Sequence, residues 1–209
     1  MTNTNTKSDN ICVNRPRHYD VIYADPPWPG MSGEPHYETM TLDRIAGMSD
    51  AVRSVAADDS WLFMWTTRAL MDPAKLVMAA WGWQYRDHIW WGKLNKFGFG
   101  DPRVGIRRAS EVLLVGTRGK VVPQSRNTPD YFIAPVSSRH SEKPHHGYAI
   151  IDNLAGMDVR RLELFARHRQ PGWDVWGNDP AIQSDVSFAA FGYPVPSDEP
   201  QPAPDGGQS

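Results

Sequence analysis

A single cysteine, Cys12, leaves the chain without any intramolecular disulfide and without a thiolate metal cluster. No apolar run is long enough to cross a bilayer, and Met1 to Asn10 is polar where a secretory signal would be apolar. A cytoplasmic protein is the expectation. Net charge is nearly absent too: −2 over 209 residues excludes a protein that coats nucleic acid by charge alone. His140, His145 and His146 lack an accompanying set of carboxylates or cysteines, so no metal site is expected. No internal repeat is visible.

What is present is the composition of a soluble globular protein, 40% hydrophobic and 22% charged, long enough for one domain with a sizeable core. Nine tryptophans are several times the usual share. They serve either as core or as flat faces for a base or cofactor, and composition leaves both open. Charge is unevenly spread. Nine bases stand against three acids between Arg86 and Arg126. A basic, glycine-bearing stretch beside aromatic residues fits a nucleic-acid face better than a merely solvated one.

Strand and helix signals alternate between two polar ends. Residues 1–14 read as a flexible segment, 15–192 as one folded domain and 193–209 as a disordered proline-rich tail. Asp20–Ala24 is a short buried strand that stops at a Pro-Pro turn. Ser49–Ala57 reads as a helix and Trp61–Trp65 as a strand. Asp72 then caps a helix with Pro73 at its first position and Gly82 as its stop. Strands over Tyr85–Trp91 and Glu111–Val115 flank a long loop from Lys93 to Ala109, and long loops in compact domains are often functional. A helix over Pro144–Leu154, stopped by Gly156, precedes strands at Arg161–Ala166 and Asp174–Trp176. Such alternation implies an α/β fold, a sheet with helices on both faces. Ligands of such sheets sit at the carboxyl ends of the strands, and the first strand ends at Asp25.

Asp25-Pro26-Pro27-Trp28 follows that strand directly. A proline turn with a capping aspartate and a core tryptophan is the plain structural reading. The chemical one is more specific. The exocyclic amine of adenine is a poor nucleophile because its lone pair is delocalised into the ring. Two acceptors aimed at its two N–H bonds favour a more tetrahedral nitrogen and stabilise the positive charge that develops during attack. Asp25 supplies a carboxylate. The Pro26 carbonyl supplies the second acceptor, since neighbouring prolines stiffen the turn and Pro27 has no N–H to compete. Trp28 offers a flat face to hold the base. Neither a metal nor a covalent nucleophile is needed.

Tyr23–Trp28 resembles the signature of the MT-A70 family of S-adenosylmethionine-dependent adenine N6 methyltransferases, in its prokaryotic or phage-type form. The similarity continues in order through Pro35–Met40, Trp61–Thr66, Trp81–Trp83, Ile89–Asn95, Glu111–Gly116, Ser141–Pro144, Glu163–Arg167 and Trp173–Asn178. It covers about Tyr19 to Asp179. The resemblance implies a Rossmann-like methyltransferase sheet in permuted motif order over residues 15–192, with the catalytic motif first and the cofactor motif near the end. The absence of a glycine-rich turn after the first strand agrees with that order. The chain departs from the family at Ala166, where glycine is common, and is shortened after Arg167 relative to eukaryotic relatives.

The same resemblance implies S-adenosylmethionine as cofactor, with Asp25, Lys143, Glu163, Arg167, His168, Asn178 and Asp179 around it. Lys143 would meet the methionine carboxylate, Arg167 and His168 the ribose, and Asn178 and Asp179 the ribose hydroxyls or the adenine edge. Each has a plainer alternative: a solvated lysine at a helix start, surface cations after a strand, and an Asn-Asp-Pro turn. Glu163 lies among apolar neighbours, and a buried carboxylate is costly unless paired, so it should face a ligand or an arginine. On the substrate side, Tyr37 and Glu111 match positions near the target adenine, although either suits an ordinary loop or strand. Lys93, Asn95, Arg107 and Arg108 belong to the basic loop expected to touch nucleic acid. DNA is favoured over RNA because the chain is compact and shows no zinc-finger RNA module. The alternatives are the same chemistry on RNA, a non-catalytic partner subunit, which the intact Asp25–Trp28 motif disfavours, and a free-nucleotide or protein methyltransferase.

Overall fold

The computed structural model describes residues 18–30, 39–94, 100–101, 105–137 and 142–198. Seven strands form one sheet. β1 (Tyr19–Ala24) lies near its middle, between β2 (Ala56–Thr66) and β8 (Arg161–Leu164). Beyond β2 come β6 (Ser110–Arg118), β3 (Gln84–Lys93) and β7 (Tyr131–Ala134), and beyond β8 comes β9 (Asp174–Trp176). Only β6 runs against the rest. Six strands therefore deliver their carboxyl ends to one edge, and the start of β6 joins them there. This is the α/β sheet expected of a Rossmann-like methyltransferase. A separate two-stranded ribbon, β4 (Gly100–Asp101) with β5 (Ile106–Arg107), lies within the segment read as a long loop.

Period-two alternation divides the core. Ile22 and Ala24 face α1 (Leu42–Ala46), α2 (Ser49–Val55) and α3 (Met71–Trp81), whereas Val21 and Tyr23 face α4 (His146–Ala155). Helices thus cover both faces. Tryptophan is chiefly core: Trp28, Trp65, Trp81, Trp83, Trp91, Trp173 and Trp176 are buried. Indole N–H groups find backbone acceptors where they are sealed in, Trp81 at Ile45 O (2.8 Å), Trp83 at Ser60 O (3.2 Å) and Trp91 at Ala134 O (3.0 Å). No helix among the described residues is long and apolar enough to cross a membrane.

Three expectations shift. Asp72 is not the cap of α3. A 3-10 turn over Arg68–Leu70 runs straight into Met71, so Asp72 and Pro73 fall inside the first turn, where the proline costs no helical hydrogen bond. Gly82, with φ +102°, does end the helix. β7 and α1 went unread in the sequence: β7 is four apolar residues between Pro129 and Pro135, and α1 is barely more than one turn. Packing also continues past Gly192, where the tail was expected to begin. Val195 is buried in the α1–α3 side of the core, and Pro196–Asp198 forms a 3-10 turn.

Candidate active site

The tip of β1 is a tight turn fastened from within. The Trp28 N–H donates to Pro26 O at 2.8 Å, and the Met40 N–H donates to Pro27 O at 2.8 Å. The indole of Trp28 is 3% exposed and donates to Trp65 O at 2.9 Å. Trp28 therefore offers no open face to a base. It anchors the Pro-Pro turn in the core, which corrects the stacking role expected of it. The Pro26 carbonyl accepts the Trp28 N–H, which fixes the direction in which it points; Pro26 itself is buried.

From this turn Asp25 reaches an alternating row of charges along the carboxyl edge. Lys143 Nζ lies 2.6 Å from Asp25 Oδ2 and 3.5 Å from Glu111 Oε2. Glu111 also pairs closely with Lys93, the last residue of β3. The chain geometry explains the meeting: β3 ends where antiparallel β6 begins, bringing Lys93 beside Glu111. Aromatic faces lie under both cations, Trp65 at 5.8 Å from Lys143 Nζ and Trp91 at 5.1 Å from Lys93 Nζ. Burial works against the Lys143 ammonium, but Asp25 and Glu111 outweigh it and raise its pKa. Burial likewise works against charge on Glu111, and Lys143 and Lys93 overcome it to lower that pKa. Lys143 and Glu111 thus hold each other ionised within a half-buried row of paired charges.

Glu163 is 7% exposed, and among the described residues its hydrogen-bond partner is the Tyr148 hydroxyl, which donates to Oε2 at 2.8 Å. Burial pushes its carboxyl up to about 7; the Tyr148 hydrogen bond counters this and nearby Asp25 adds to it. His168 Nε2 lies 3.4 Å from the same hydroxyl. Tyr23, opposite Glu163 in the β1–β8 register, accepts from Trp65 Nε1 at 2.5 Å, and burial raises its pKa well above the usual value. Tyr148 was not singled out in the sequence, since a buried tyrosine on an amphipathic helix carries no signal there beyond its hydrophobicity, and Tyr23 entered only as the first residue of the signature, without a role.

On the α1–α3 side of Asp25 opens a pocket of about 310 Å³. It is lined by Asp25 and Pro27 from the tip of β1, by Phe165, Arg167, Trp176 and Asn178 around the ends of β8 and β9, and by Thr39–Thr41, Arg44 and Tyr193–Val195. Phe165 has φ +63°, a left-handed backbone that costs a bulky side chain about 1–3 kcal/mol and that clusters at functional sites. It lets Ala166 turn back to donate to Trp176 O at 3.0 Å, with the Phe165 ring edge-on to Trp176. Trp176 Nε1 is buried and has no hydrogen-bond partner among the described residues.

Of the residues expected around the cofactor, Asp25, Arg167 and Asn178 line this pocket, while Lys143, Glu163 and His168 gather behind Asp25 on the α4 side. Asp179 is not among the lining residues. Its Oδ1 accepts from the Ala181 N–H at 2.9 Å, so it serves the turn. Arg108 is exposed just before β6. Tyr37, Asn95 and the Arg107 side chain lie outside the described residues, as does His140.

A seven-stranded sheet with one reversed strand, an acidic tip on an interior strand and a pocket beside that tip agree with the frame of an α/β methyltransferase. The model of the MT-A70 family matches residues 19–179, and the chain belongs to that family. It is similar to the type II methyltransferase M.MunI of Mycoplasma sp, 32% identical over 197 residues that cover 81% of each chain. It is also similar to the human N(6)-adenosine-methyltransferase catalytic subunit METTL3, 33% identical over 169 residues, 77% of this chain but only 28% of that protein. The Drosophila melanogaster N(6)-adenosine-methyltransferase MT-A70-like protein is 30% identical over 167 residues, 26% of its length. The matched range coincides with the one over which the motifs had been traced.

Proposed function

We propose that this chain transfers a methyl group from S-adenosylmethionine to N6 of adenine in DNA. The observation that carries the reading is Asp25 at the tip of β1, at once a member of the charged row and of the pocket wall. The residues fit the cofactor. Phe165 and Trp176 give flat apolar surface, and Asn178 and Arg167 give polar groups for a nucleoside. Lys143 and His168 stand on the side suited to the methionine end, above a polar floor of Glu163 and Tyr148. When bound, S-adenosylmethionine supplies an electrophilic methyl group on a sulfonium.

The protein's part is to make the amine nucleophilic. Asp25 accepts one N–H of the adenine amine and the Pro26 carbonyl accepts the other, which draws the nitrogen toward tetrahedral geometry. Lys143 holds the Asp25 carboxylate in place. A bare ammonium there would oppose the positive charge growing on the amine; Glu111, shared between Lys143 and Lys93, offsets it. With two acids and two bases the row is neutral, so Asp25 remains an acceptor rather than a fully quenched ion pair.

DNA is the substrate we favour because the relative of similar length is a type II methyltransferase, whereas the N(6)-adenosine-methyltransferases named above are matched over less than a third of their length. The basic stretch around Arg107 and Arg108 would hold the backbone while the target base leaves the duplex. Incubation with methyl-labelled donor and separate DNA and RNA substrates tests the reading. Label in DNA adenine is expected; label in RNA alone would move the substrate, and label in neither would remove the activity.

A further inference from the structure

The family match ends at residue 179, yet an ordered, anchored segment follows it. Phe188 is fully buried with its ring 5.1 Å from that of Trp176. Gly192, at φ +83°, turns the chain so that the Tyr193 N–H donates to Phe188 O at 3.1 Å. The Tyr193 hydroxyl then crosses to α1 and donates to Arg44 O at 2.9 Å, and the Arg44 guanidinium lies 5.9 Å above the tyrosine ring. Gly47 leaves room for this contact, because a Cβ there would lie 3.1 Å from the hydroxyl. Val195 is 3% exposed and is locked by Asp198, whose N–H donates to Val195 O at 2.8 Å and whose Oδ2 accepts from Val195 N–H at 3.3 Å. The fastening is specific at both ends, and what it holds in place lines the pocket together with Phe165, Trp176 and Asn178.

We infer that Tyr193–Val195, held by Arg44, is part of the binding site and grips the nucleoside half of the methyl donor. The inference rests on the function proposed above. Asp25 alone among the charged row lines the pocket; Lys93, Glu111 and Lys143 do not. The donor would then span Asp25, with its methionine end toward Lys143 and His168 and its nucleoside end in this pocket. Its chemistry suits a flat base carrying a hydroxylated sugar: ring and aliphatic surface from Phe165, Trp176 and Pro194, with Asn178 and Thr39 among the polar groups and the buried Val195 anchoring the stretch of chain that carries Pro194. Residues past the family match would then set how tightly, and how selectively, the donor is held.

Calorimetry on the full chain tests this with S-adenosylmethionine and with adenosine alone, for wild type, Tyr193→Ala and Val195→Ala, with melting curves to establish folding. Both ligands are expected to bind Tyr193→Ala about tenfold more weakly, a change of ~1.4 kcal/mol. In turnover the donor KM should rise by a similar factor with kcat little changed. Tyr193 is only half-buried, so this variant stays informative if Val195→Ala does not fold. Folded Tyr193→Ala that binds both ligands like wild type would overturn the wall's role alone. Loss of DNA affinity with donor affinity intact would assign the pocket to the target and also overturn it. Wild type that binds no S-adenosylmethionine would overturn the reading of function beneath it.

Discussion

At the scale of single residues, two side chains have outcomes that separate structure from chemistry. Glu163 titrates at about 7 in the folded chain against an ordinary 4.5. Between those values the folded state binds more protons than the unfolded one, so this residue makes stability fall as pH rises from about 4.5 to about 7 and level off above. The full effect is on the order of 3 kcal/mol at most. Glu163→Gln, which keeps an acceptor for Tyr148 and cannot ionise, should be more stable than wild type at pH 8, with the gap closing toward pH 5. Urea midpoints at the two pH values measure this, and a variant with the wild-type pH slope would show that Glu163 stays charged. Trp28 has the opposite character. As a buried indole that fastens the Pro-Pro turn, its replacement in Trp28→Ala should cost about 3–5 kcal/mol of stability. A variant that melts like wild type but has lost activity would restore the base-holding role instead.

At the scale of elements, the site depends on how closely the ends of β8 and β9 approach. A Cβ on Gly177 would fall 2.1 Å from Ala166 O and 3.1 Å from Ala166 N, a clash with backbone that no rotamer relieves. Gly177→Ala should therefore cost about 3 kcal/mol or more and weaken donor binding, since Phe165, Trp176 and Asn178 are set by the same approach. Thermal unfolding and calorimetry check it; a fully stable variant with wild-type donor affinity would contradict it. The elements also show what was legible in the sequence. β1, β2, β6, β8 and β9 were readable because each is a bounded apolar run, and Asp25 because the motif stands directly after such a run. The Lys93–Glu111–Lys143–Asp25 row was not, although all four residues had been singled out. Lys93 and Glu111 meet because β3 and β6 are antiparallel, and Lys143 reaches Asp25 and Glu111 from the segment before α4, neither of which a local pattern encodes. Tyr193 and Val195 were hidden for a different reason. Short apolar residues amid Pro, Ser and Asp look like a tail until Arg44 and Trp176 are seen beside them.

At the scale of the whole molecule, a chain of net charge −2 must concentrate its positive charge to hold a polyanion, and the stretch from Arg86 to Arg126 does so. DNA affinity should fall steeply with salt. Replacing Arg107 and Arg108 together with alanine should reduce the slope of log affinity against log salt by up to about 2, while donor affinity measured by calorimetry is retained. An unaltered slope would move the nucleic-acid face elsewhere. The central claim, adenine N6 methylation centred on Asp25, is tested most directly by nucleoside mass spectrometry of DNA digested after reaction with wild type and with Asp25→Asn, at donor concentrations that saturate both. Wild type is expected to yield N6-methyladenine. Asp25→Asn should form it roughly a hundredfold to a thousandfold more slowly, the loss of about 3–4 kcal/mol of transition-state stabilisation. Wild type that yields 5-methylcytosine or N4-methylcytosine, or an Asp25→Asn variant that methylates adenine at the wild-type rate, would contradict it.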